Sequence, residues 1–175
     1  MSDKLIVPRD SKTEGTISFL LGQMADVRRL LLEQIEGLTQ EELDFSPDIN
    51  KFETIGTLLF HIADVENSWM FEFVDGQELD FEEWKYAFPL RQKLDPRQKT
   101  GKSLAYYLEI LEKTRAAVVQ RVRQFSSEEA TRMFFHPAQQ ASYSLEWVLH
   151  HNQQHESHHI GQINLLKRWY RLNEK

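Results

Sequence analysis

Apolar residues recur at three- and four-residue steps along four long stretches of the chain, the spacing that gathers side chains on one face of an α-helix. The first, residues 13–38, carries Ile17, Leu20, Leu21, Met24, Val27, Leu31 and Ile35. The second, residues 52–74, places Ile55, Leu58, Ile62, Val65, Trp69 and Phe73 on one stripe and stops at Asp75-Gly76. The third spans residues 103–125, and Ser126-Ser127-Glu128-Glu129 can cap a further short turn. The fourth spans residues 144–172, with Ser144 as N-cap and Leu145, Val148, Ile163, Leu166 and Tyr170 facing inward. Strand-like alternation is scarce. These patterns predict an all-α four-helix bundle, in which sites are built from side chains on facing helices.

The connections are unequal. Residues 37–48 form a polar connector, whereas residues 76–102 form a long charged linker with Phe81, Trp84, Tyr86, Phe88 and two prolines. A linker of that length is expected to cross the bundle or cover a pocket. At 175 residues the chain fits one domain, residues 1–175, with enough length to bury its own core. A net charge of -6, without a basic stripe, argues against nucleic-acid binding. No stretch has signal-peptide or membrane-spanning character, so a cytoplasmic protein without membrane association is expected. The absence of cysteine removes disulfides, thiolate ligands and a thiol nucleophile together, leaving histidine and carboxylate for metal chemistry.

Five of the seven histidines, His150, His151, His155, His158 and His159, crowd into ten residues of the fourth stretch. At about 100° per residue, His159 falls within the apolar stripe and His155 at its edge, with its ring directed toward the core. His151 and His158 flank that face, and His150 points to solvent. His155 and His159, four apart, can offer two imidazole nitrogens to one ion, and His61, between Leu58 and Val65 on the second stripe, can offer a third. A histidine on an apolar face is more often a satisfied core residue than a ligand, so a three-histidine metal site and a chance cluster both stand on spacing alone. The string His155-Glu156-Ser157-His158-His159 also satisfies the H-E-x-x-H pattern of zinc proteases, but no further histidine follows it and no strand is expected to hold a peptide.

The order His61, Asp64, Glu66 and then His155-Glu156-x-His158-His159-x-Gly161-Gln162 resembles the DinB/YfiT-like superfamily over nearly the whole chain. That resemblance implies a bundle with up-down-down-up connectivity, one divalent metal ion on His61, His155 and His159, and a homodimer. It further implies either transfer of a low-molecular-weight thiol to an electrophile or metal-dependent hydrolysis. Several relatives have a basic residue where this chain has Ile160, which bears on what approaches the metal.

Three imidazoles leave a coordination position open, where water or a substrate thiol would lose its proton more readily. Zinc suits a tetrahedral site and nickel one with extra waters. Gln162, about one turn beyond His159, is the catalytic candidate that would orient a bound ligand, or else it bonds between helices. Glu66 and Glu156 either fix the tautomer of a ligand histidine or lie in solvent, and Asp64 and His151 have similar standing. Trp69, Trp147 and Trp169 are expected as core or interface groups. Met70 and Phe71 beside Phe73 exceed what one stripe needs, which points to an interface. The leading reading is a metal-dependent thiol transferase or hydrolase acting on a small molecule. The alternatives are a non-catalytic metal-binding stress or interaction protein and an inert bundle.

Overall fold

The computed structural model describes residues 6–78, 80–86 and 99–173. Four long helices dominate: α1 (Gly15–Ile35), α3 (Ile55–Asn67), α5 (Leu104–Val122) and α6 (Leu145–Asn173). Two short ones, α2 (Gln40–Asp44) and α4 (Phe81–Trp84), sit in the connections. The starts of the long helices follow local chemistry. Thr54 and Ser103 accept from the backbone N–H three residues on, and Ser144 does the same for Trp147 N–H at 3.2 Å, as its sequence position predicts. Among the described residues no helix is long and apolar enough to cross a membrane.

Side-chain pairings give the helix directions. Gln153 donates to Leu20 O, and Lys167 to Gln34 O, so α1 and α6 run parallel. Phe52 meets Trp169 while Trp69 meets Trp147, so α3 runs against α6. Gly56 lies on Tyr107, and Asp75 pairs with Arg121, so α5 runs with α3. The connectivity is up-down-down-up. Because α3 and α5 are parallel, the chain must return the length of the bundle between them, which accounts for the long linker. Its residues 87–98, including Phe88 and both prolines, lie outside the described residues, and so does the expectation that it shapes a pocket there. On either side, Trp84 packs on Phe60 and the Lys99 N–H donates to Thr57 Oγ1 at 2.7 Å.

The core forms two clusters, one around Leu31, Leu58, Leu59, Tyr107 and Leu111, the other around Ile17, Met24, Met70, Val118 and Leu149. Met70 is fully buried because α3 widens into a π-helical turn over Ser68–Val74, closed by Asp75 N–H on Met70 O. The wider turn carries Met70 inward, and Phe71 packs on the same cluster. Met70 thus belongs to the core, while Phe71 and Phe73 stay partly exposed.

Periodicity missed a two-stranded antiparallel hairpin, Met133–His136 with Ala141–Ser144. Strands of four residues are too short for alternation to stand out from noise. The expected turn after residue 125 forms as a 3-10 helix over Glu128–Thr131, with Ser126 and Glu129 capping each other. The N-terminal segment crosses α1 at Gly22, where any Cβ would overlap the Pro8 carbonyl.

Candidate metal centre

The seam between α3 and α6 brings together the three histidines that spacing singled out. His155 Nε2 lies 3.2 Å from His61 Nε2 and 3.0 Å from His159 Nε2. One ring nitrogen from each of the three lies within 4.8 Å of the other two. His61 and His159 are buried and His155 is half-buried, which makes His155 the open side of the cluster.

Electrostatics keeps the α6 pair neutral. Burial, reinforced by His159 and His61, pushes the pKa of His155 down to about 2. Burial also lowers His159, to about 4, against the opposing effect of its hydrogen bond to Gln162. That bond, 2.5 Å from His159 Nδ1 to Gln162 Oε1, places the ring hydrogen on Nδ1, because a carboxamide oxygen only accepts. Nε2 of His159 is thereby left with its lone pair facing the other two rings. Behind His61, the fully buried Asp64 carboxylate lies 3.9 Å from Nδ1, beyond direct hydrogen-bond distance. Two imidazoles held neutral, converging with a third from the facing helix, are what a divalent cation requires, so the residues present fit a metal ion.

The flanking histidines stay outside the cluster. His151 stacks on Trp147 at 4.9 Å and 5° and meets Trp69 edge-on, with its ring 6.1 Å from that of His155. Burial, helped by His150, lowers its pKa. His150 and His158 are exposed. Trp69 also contacts Phe73, His136 and Tyr143, so this aromatic group ties the hairpin to the bundle beside the cluster.

Glu66 and Glu156 neither lie in solvent nor reach a histidine, contrary to both sequence expectations. Each is buried in a ring of four charges to which every long helix contributes one side chain: Arg28 from α1, Glu66 from α3, Arg115 from α5 and Glu156 from α6. Arg28 donates to Glu156 at 2.5 Å and to Glu66 at 3.1 Å, while Arg115 donates to Glu66 and, at 2.6 Å, to Glu156. Burial works against the Arg115 charge, but Glu66 and Glu156 outweigh it and raise the pKa of that guanidinium. Glu156 is thus held by two arginines and cannot serve as the general base of an H-E-x-x-H protease. Neither arginine was singled out from the sequence, although a signal was present: each interrupts an apolar stripe at a core position, Arg28 between Met24 and Leu31, Arg115 between Leu111 and Val118.

The sequence profile of the DinB superfamily matches residues 6–163, a span that holds the three histidines. The chain belongs to the DinB superfamily. Among solved structures it is similar to YfiT from Bacillus subtilis, with 20% sequence identity, 93% of this chain and 92% of that chain covered, and a TM-score of 0.64. YfiT is described as a probable metal-dependent hydrolase with an unusual four-helix bundle topology. At that identity the likeness shows the fold. No curated protein shows significant sequence similarity to this chain.

Proposed function

We propose that His61, His155 and His159 hold one divalent metal ion, zinc or nickel, in an enzyme that attacks a small-molecule electrophile with water or a low-molecular-weight thiol. The observation that carries this reading is the convergence of three imidazole nitrogens at 3.0 and 3.2 Å with no carboxylate among them. An ion bound there would act as a Lewis acid that polarises the substrate and eases loss of a proton from water or thiol.

The chain's own residues do the rest. Gln162, the catalytic candidate, fixes the tautomer of His159 through its carbonyl and presents its amide N–H groups to a bound ligand. Half-buried His155 marks the side from which substrate enters, and Ile160, also partly exposed, makes that approach less cationic than a basic residue would. A thiol nucleophile must come from the cosubstrate, since the chain has no cysteine. The reading extends to a homodimer, which sedimentation at micromolar concentration tests.

The deciding experiment incubates metal-replete protein with thiols and a general electrophile, alongside a panel of esters and amides, and compares it with His61→Ala. Metal-dependent conjugation identifies a transferase and metal-dependent cleavage a hydrolase. Wild type and variant behaving alike on both panels would overturn the catalytic reading in favour of a metal-binding stress or interaction protein.

A further inference from the structure

Around the bundle, α1 packs on α6, α6 on α3 and α3 on α5, which leaves the α5–α1 seam as the loosely closed one. It lies opposite the histidines. A groove of ≈ 850 Å³ runs along this seam, walled by Leu21, Ala25 and Leu32 of α1 and by Leu104, Leu108 and Val119 of α5. From Leu21 to Gly37 it follows about 24 Å of helix, at about 1.5 Å per residue. Its volume is in the range of small-molecule sites, which are mostly apolar with a few placed polar groups.

Those polar groups are Arg28 and Arg115, which line the groove while Glu66 and Glu156 do not. The four-charge ring is therefore oriented, with guanidiniums toward the groove and carboxylates toward α3 and α6. A guanidinium carries five N–H groups. Arg28 uses four, on Glu156 twice, Glu66 and the Leu111 carbonyl; Arg115 uses three, on Glu66, Glu156 and the Met24 carbonyl. Both arginines thus retain donor capacity. Toward the Gly37 end the rim carries Glu33 and Glu36 instead, with Arg29 already engaged by Asp26 and Glu33.

We propose that this groove binds a single-chain amphiphilic anion, a long-chain carboxylate, with its headgroup at Arg28 and Arg115 and its alkyl chain along Leu32, Leu104 and Leu108. The acidic rim sets the direction, because it repels the headgroup from the Gly37 end. The ring is neutral as a whole, so the selection comes from its unused guanidinium N–H groups, which favour a headgroup that accepts several hydrogen bonds, a carboxylate, over an alcohol or an ammonium of the same length.

The test uses the full chain and dansylaminoundecanoic acid as a fluorescent probe, displaced by tetradecanoate, tetradecanol or tetradecyltrimethylammonium below their micelle concentrations. Tetradecanoate is expected to compete about ten-fold or more better than the other two, the size of one charge-assisted hydrogen bond. Ala25→Trp, at an exposed position on the groove wall, fills the space without touching the core and is expected to weaken probe binding about ten-fold with helix content unchanged. Equal competition by the alcohol or the ammonium compound would overturn the proposal, since apolar surface alone would explain it. Absence of displacement, or binding insensitive to Ala25→Trp, would also overturn it. So would a dimer that Ala25→Trp dissociates, because a second copy would then occupy the groove.

Discussion

Arg28 Nε on the first long helix donates to Oε1 of Glu156 on the last at 2.5 Å, and Glu156 is the residue that follows His155. The same turn of α6 that presents an imidazole to α3 therefore locks into a buried charge ring with α1 and α5. With two positive and two negative side chains the ring is neutral as a whole, and each member depends on the others. Removing one partner leaves an uncompensated charge in the interior, which costs about 3–5 kcal/mol. Arg115→Met and Glu156→Gln are each expected to lower unfolding free energy by about that amount in urea titrations. In a double-mutant cycle, Arg28→Met and Glu156→Gln are expected to be non-additive by about 1–3 kcal/mol. Additive losses would show that the two side chains act independently.

Metal binding separates ligands from supporting groups. His61→Ala, His155→Ala and His159→Ala are each expected to abolish stoichiometric binding of zinc or nickel in titration calorimetry on untagged protein. Helix content should survive, because the two apolar clusters hold the bundle. Gln162→Ala removes the acceptor on His159 Nδ1 but leaves three rings, so its expected effect is a loss of affinity of about 10–100-fold. His150→Ala, an exposed ring, should leave the isotherm unchanged.

The four stripes and the phase of His61, His155 and His159 were legible in the sequence because helical period and spacing fix which face a side chain occupies. The π-helical turn at Ser68–Val74 was not, since it keeps a helical composition while shifting the register, and Met70 consequently read as surplus. Glu66 and Glu156 read as solvated because a carboxylate on a helix usually is. Only the simultaneous core phase of Arg28 and Arg115 on two other helices argues otherwise, and that pairing needs the bundle's topology. The hairpin escaped because its residues are held by Trp69 and Phe73, contacts that no local window contains.

Close approach of α3 and α5 depends on Gly56. A Cβ there would run into the Tyr107 ring and hydroxyl, and that hydroxyl donates to Lys99 O at 2.8 Å. Gly56→Ala must push apart two packed helices, so it is expected to destabilise by about 1–3 kcal/mol despite alanine's better helix propensity. Tyr107→Phe removes only the hydrogen bond to the linker and should cost about 1 kcal/mol. Thermal or urea unfolding of both variants checks the ordering. A stabilised Gly56→Ala protein would show that the helices have room to spare.

The metal-free protein should lose stability as pH falls. His155 and His159 titrate at about 2 and about 4 in the folded chain, against an ordinary histidine value of 6.5. Between those values the unfolded chain binds more protons than the folded one, so unfolding free energy rises with pH across this window. The contribution is complete above about pH 6.5 and is lost progressively below it, at up to about 1.4 kcal/mol per pH unit for each ring. From about pH 7.5 to about pH 5.5 the two rings together should lower stability by about 2–3 kcal/mol, read as a falling urea midpoint in a chelating buffer. Saturating divalent metal should hold the midpoint steady to lower pH, because bound rings must stay deprotonated. Replacing both rings, in His155→Ala/His159→Ala, should flatten the metal-free profile over the same interval. An unchanged slope in that double variant would assign the acid sensitivity to other groups, with His151, whose pKa burial also lowers, next in line.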